Sequence, residues 1–227
     1  MAAEGPIAEP APLPEYAGIT EPMTVLTNLV LAVFALALSA RLGYAAAADG
    51  KVAAFAMAGA LMATAISALF GAVAHGVDPR TDAAVRKRFW RLALYATGLI
   101  GAATVASVAF FIAPRGAVRN AILIVAGVKL LAFWAAVTRR PEFRLAAGDN
   151  AGALAVLLAA AIYVWVRFDA RAAPWLVAGI LVSLVAGVIQ ARRVGFHRHF
   201  NHNDVFHVVQ MVALYLFFRG GVLLGDR

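Results

Sequence analysis

GFHRHFNHNDVFHVVQMVALYLFFRGG, residues 195–221, holds four of the chain's five histidines: His197, His199, His202 and His207. Basic and aromatic residues lead into Asn203 and Asp204, and an apolar run opens at Val205. That run carries His207 and Gln210 inward, so polar chemistry falls on the first turns of a membrane-length segment. Ionisable groups at such depth are costly unless paired or set in a polar cavity, which makes them functional candidates by default.

Working outward, long apolar stretches recur along the whole 227 residues, which are 63% hydrophobic and 14% charged, with a mean hydropathy of +0.82. A run of about 20 apolar residues is what crosses a hydrocarbon core roughly 30 Å thick. Seven such spans are read: Met23 to Leu42, Lys51 to His75, Phe89 to Ile112, Ala117 to Thr138, Asn150 to Phe168, Ala172 to Gln190 and Asp204 to Phe218. A barrel strand would alternate instead of running apolar. The expected fold is therefore all-α: a polytopic membrane protein whose residues 21–227 form one seven-helix bundle. Residues 1–20, Pro-rich and without Lys or Arg, lack the basic start and apolar core of a signal peptide and read as a retained, irregular lead.

The net charge of +8 comes from 20 basic and 12 acidic residues, and the basic ones fall in short loops between spans. They read as membrane-flanking charge, with no nucleic-acid partner. Loops on the side of the N-terminus carry eleven Lys and Arg, those on the other side eight. This bias favours a cytoplasmic N-terminus, in a plasma membrane of the bacterial inner type. The absence of cysteine removes thiol nucleophiles and thiolate metal sites, leaving histidine and oxygen ligands.

Odd spans begin, and even spans end, on the side of the N-terminus. Glu21, Thr24 and Asn28 open span one, His75 closes span two, Asp149 and Asn150 open span five, and the histidine-rich loop opens span seven. Spacings of three and four residues place Thr64, Ser67, Gly71 and His75 on one stripe, and Asn203, His207 and Gln210 on another. His202, five residues before His207, joins it only if the chain is still unwound there. Each residue also has an ordinary structural role. A lone His75 suits an interface, Asn28 and Gln210 suit interhelical hydrogen bonds, and Ser67 suits a bond to its own helix backbone. Lys129, in the middle of span four, requires snorkelling or an acidic partner, for which Glu21 and Asp204 are the candidates.

These residues resemble the CREST superfamily, seven-helix proteins that include the alkaline ceramidases and the progestin-receptor and haemolysin III-like proteins. Glu21 to Asn28, E-x-x-T-x-x-x-N, is similar to the ceramidase E-x-x-N-x-x-x-N; His75 matches the second-span His; and NDVFH, Asn203 to His207, looks like the seventh-span H-x-x-x-H. Three departures stand out. Asn203 replaces a His, Gly71 replaces a Ser, and RFWRLALY lacks an Asp at the third span.

The resemblance implies a zinc site held by His75 and His207, with His202 or Asn203 as third ligand. Its metal would polarise an amide or ester carbonyl of a lipid. Asp204 or Glu21 would move the proton, and Ser67 or Thr64 would bond the oxyanion. Two alternatives use the same residues. One is a non-enzymatic receptor whose polar pocket receives a lipid headgroup or small molecule; the other is a b-type haem or quinone protein with His75 and His207 as axial ligands. A transporter finds least support, because the polar groups are confined to one end.

Overall fold

The structure, a computed structural model, describes residues 15, 16 and 18–226. Two short strands, β1 (Glu15–Tyr16) and β2 (Ile19–Thr20), pair antiparallel. Gly18, with φ 75°, supplies a backbone conformation that residues with a Cβ rarely adopt. Within the expected irregular lead, residues 15, 16, 19 and 20 thus form this pairing; residues 1–14 and 17 lie outside the described residues.

Seven helices follow: α1 (Pro22–Asp49), α2 (Val52–Gly76), α3 (Ala83–Ile112), α4 (Ala117–Arg139), α5 (Phe143–Phe168), α6 (Ala173–Arg192) and α7 (His202–Val222). All seven are long and apolar enough to cross a membrane. Several run past the apolar segments that announce them: α1 continues seven residues beyond Leu42, and α5 starts seven residues before Asn150. Those extensions, GYAAAAD and FRLAAGD, are rich in Ala, a good helix former whose backbone hydrogen bonds do not depend on lipid.

Neighbouring helices run in alternate directions. Contacts between their ends show this: Glu21 at the start of α1 meets His75 at the end of α2, and Gln190 at the end of α6 meets Asn203 at the start of α7. At the opposite end, Asp226 beyond α7 accepts from the first two N–H groups of α2, Val52 at 2.8 Å and Ala53 at 2.7 Å.

The core lies among α1, α2, α3, α5, α6 and α7 and is filled largely by Ala and Leu. Small residues let helix backbones approach closely, and single hydroxyls cross the gaps. Ser39 donates to Ala58 O at 2.8 Å, and Ser107 donates to Ala53 O at 2.8 Å. Helix α4 is peripheral; Ile124, Val125, Val128 and Leu131 form an exposed apolar face. Among the described residues, the buried polar side chains gather mainly where α1 begins and α7 starts.

Candidate functional site

Glu21 caps α1 from a left-handed conformation, φ 51°, ahead of Pro22 at the first helical position. Proline fits there because its missing N–H would have no intrahelical partner. The backbone turn sends the Glu21 side chain towards α2, where Oε1 lies 3.3 Å from His75 Nδ1 and 3.9 Å from Arg86 Nη2. Burial raises the Glu21 pKa, but the His75 hydrogen bond and the charges of His75 and Arg86 outweigh it and leave the carboxyl below its ordinary value. Trp90 of α3 presents its ring edge-on to His75, with centroids 6.2 Å apart.

One turn into α1 a second network faces α7. Thr27 Oγ1 lies 3.1 Å from Asp204 Oδ1 and 2.9 Å from His207 Nδ1. Asp204 is fully buried, and its other oxygen accepts from Asn201 N at 2.7 Å. Asn201 in turn accepts from Asn203 N at 2.8 Å, so Asn201 and Asp204 form a reciprocal capping box at the start of α7. A threonine hydroxyl has one proton. That proton has two oxygen acceptors in reach, Asp204 Oδ1 at 3.1 Å and Thr24 O at 3.2 Å. Donated to either, it leaves Thr27 Oγ1 to accept from His207 Nδ1–H; the other tautomer of His207 would instead accept the proton at Nδ1. No hydrogen bond to Nε2 is present among the described residues.

Not all sequence-predicted residues join this end. Thr24 and Asn28 do: Asn28 Nδ2 donates to Thr24 O at 3.0 Å, and Asn201 Nδ2 reaches Thr24 Oγ1 at 3.4 Å. Gly71 lies against Asn28, whose Oδ1 would be 3.1 Å from an added Cβ. The stripe on α2 then turns away. Ser67 donates to Ala93 O at 3.0 Å and meets Thr97 on α3, while Thr64 donates to Ala60 O of its own helix. The stripe on α7 also divides: Asn203 and Gln210 bond Gln190 and Ser183 of α6, and His207 faces α1. His202, at the first position of α7, is half-buried.

Lys129 is a correction. Its partner is neither Glu21 nor Asp204 but Asp149, at 2.5 Å. Asp149 falls two turns inside α5, because that helix starts at Phe143.

The residues that sequence reasoning missed are Thr27, Asn201 and Arg86. Thr27 follows Thr24 by three residues, one helical turn, and so carried a readable signal. Asn201 three before Asp204 matches a capping-box pattern. Arg86 gave no signal beyond its charge.

Chemically, the arrangement differs from both a metal centre and a nucleophilic triad. Among the described residues no three His, Asp or Glu are grouped to hold a metal ion, so His75, His202 and His207 do not form the three-ligand set that zinc needs. In a triad the hydroxyl and the carboxylate bond opposite nitrogens of the imidazole. Here Asp204 bonds the hydroxyl itself. Beside His75, however, a recess of about 330 Å³ is lined by His75, Arg86, Lys87 and Trp90, with Ala74, Pro79 and Ala83 as its apolar wall.

Comparison with known proteins adds no activity: no curated protein matches the chain. A family model does match residues 23–226, the whole helical bundle, and the chain belongs to that family of unknown function, DUF6962.

Proposed function

We propose that the chain is an integral membrane protein, N-terminus cytoplasmic, that binds an acidic amphiphile or lipid headgroup in the recess beside His75 without transforming it. The carrying observation is the pairing of that recess with buried Glu21. His75 and Arg86 line the cavity and are the two side chains that contact the Glu21 carboxyl. Imidazole, guanidinium and ammonium over an apolar wall suit a ligand with an anionic head and a hydrocarbon body. An anion entering the recess competes with Glu21 for Arg86, whose contact at 3.9 Å is already loose. Because Glu21 caps α1, occupancy is coupled to the set of that helix's first turn.

The test is organic extraction of purified full-length protein, followed by mass analysis of co-purified amphiphiles. An acidic amphiphile near one per chain is expected in the wild type, depleted at least tenfold in Arg86→Gln and His75→Ala, as loss of a charge-assisted hydrogen bond implies. Equal yields in all three proteins would end the reading.

The contact of His207 Nδ1 with Thr27 favours a second reading: hydrolysis of a lipid amide or ester, with Nε2 taking a proton from water and Asp204, through Thr27, holding the ring. Turnover of such a lipid that is lost in His207→Ala and reduced in Thr27→Val would select it over binding alone.

A further inference from the structure

Helix α3 opens with AAVRKRFWRL, residues 83–92, four basic residues within six positions. Arg86 is engaged with Glu21. Lys87, which also borders the His75 recess, lines with Arg88 and Arg91 a neighbouring recess of about 340 Å³, together with Ala84 and Leu92. None of the three has an acidic partner among the described residues. The nearest acids in sequence are occupied: Asp78 Oδ1 accepts from Arg80, and Asp82 Oδ2 accepts from Thr81. Arg91 carries the second, independent observation. Its Nε is buried and without a hydrogen-bond partner. A buried, unpartnered guanidinium N–H is costly unless something accepts from it.

Length places this recess. Thirty residues of α3 span about 45 Å, roughly 15 Å more than a hydrocarbon core. With Ile112 at one boundary of the core, the excess is the basic first turns, which then lie in the headgroup layer with Leu92 at the edge of the hydrocarbon. Trp90 fixes this end by donating Nε1–H to Pro141 O at 2.9 Å. The first N–H groups of α3 also lack a side-chain cap, so the positive end of the helix adds to the field.

We propose that Lys87, Arg88 and Arg91 form a phosphate-binding recess, filled in the membrane by the phosphodiester headgroup of an anionic lipid. A carboxylate occupies one guanidinium fork. A tetrahedral phosphate offers oxygens to several forks at once, which matches two Arg and one Lys around a cavity of headgroup size. The inference rests on the membrane placement proposed above, but not on the ligand of the His75 recess.

The experiment uses the full chain, delipidated in uncharged detergent, with its unfolding temperature followed as phosphatidylglycerol, phosphatidylcholine or inorganic phosphate is added. Phosphatidylglycerol is expected to stabilise saturably and phosphatidylcholine not to. Arg91→Gln is expected to weaken the apparent Kd about tenfold, and Arg91→Lys by less. The double change Arg139→Gln, Arg140→Gln removes two cations from the same end of the bundle outside the recess and is expected to alter Kd less than about twofold. Should Arg91→Gln fail to fold, Arg88→Gln carries the same test, since Arg88 lies outside the His75 recess. Saturable stabilisation by inorganic phosphate that depends on Arg91 keeps the phosphate site and assigns a soluble source. Equal stabilisation by the two lipids without a phosphate response, or equal losses from the Arg91 and Arg139/Arg140 changes, would overturn the proposal and leave only diffuse membrane-facing charge.

Discussion

The molecule solves the problem of polar groups among apolar helices in two different ways. Where α1, α2 and α7 meet, Glu21, Asp204 and His207 are held by a web of neutral and charged partners. Asp204 alone accepts from a backbone N–H and a hydroxyl. At mid-span, Lys129 and Asp149 have little but each other: they pair at 2.5 Å, and Asp149 Oδ2 has no hydrogen bond. Oδ2 instead lies against Gly101 of α3, where an added Cβ would come within 2.5 Å of it. A web shares the loss of one member among the remaining partners. An isolated pair does not, and removal of one charge leaves the other desolvated.

The largest effect is therefore expected at the pair. Lys129→Met should destabilise the protein by about 3 kcal/mol, at the lower end for a broken buried pair because Lys129 is 36% exposed. The double change Lys129→Met, Asp149→Leu should recover most of that loss, since apolar replacements of a buried pair are often neutral. Unfolding in mixed micelles measures both, and a double mutant as unstable as the single would break the comparison.

Next comes Asp204→Ala, at about 2 kcal/mol, which removes the capping box and leaves Asn201 N without its acceptor, while Thr27 Oγ1 keeps Thr24 O at 3.2 Å. Asp204→Asn, which keeps one acceptor oxygen, should lose about half of that. Thr27→Val should cost about 1 kcal/mol in the same assay, because Asp204 retains its bond to Asn201 N. Its sharper signature is the His207 ring, which loses its partner at Nδ1; the imidazole ¹⁵N shifts report this. The weakest change is Gln210→Ala, which breaks a 3.4 Å bond to Ser183 and should cost about 0.6 kcal/mol or less.

Acid should act on the web through Glu21. Its carboxyl has a folded pKa below its ordinary value, so the stabilising share of its contacts is present above the ordinary carboxylate range. That share should disappear as pH falls through the lowered folded value. Glu21→Gln should flatten this acid limb of stability, and an unchanged limb would show that Glu21 is not held as described.

The seven helices were legible because a bilayer demands long apolar runs, and those are visible residue by residue. Their ends were not. Arg144, Gly148 and Asp149 interrupt the apolar run without ending the helix, which hid the first two turns of α5 and put Asp149 outside its span. Lys129 was consequently offered the wrong acids. The contact of Glu21 with His75 was foreseeable from polar residues at matching span ends. The division of the α7 stripe between α1 and α6 was not, since 3.6-residue geometry places Asn203, His207 and Gln210 on one side without saying which neighbour each will meet. Ser67 failed for the same reason: its face was right and the partner helix was α3.

The central claim is that the polar groups joining α1, α2 and α7 hold one another and border a binding recess. Mass analysis of amphiphiles that co-purify with the full-length protein, alongside His75→Ala and Arg86→Gln, tests it most directly. An acidic amphiphile near one per chain in the wild type, depleted at least tenfold in both variants, is the expected result. Equal yields in all three proteins would contradict it.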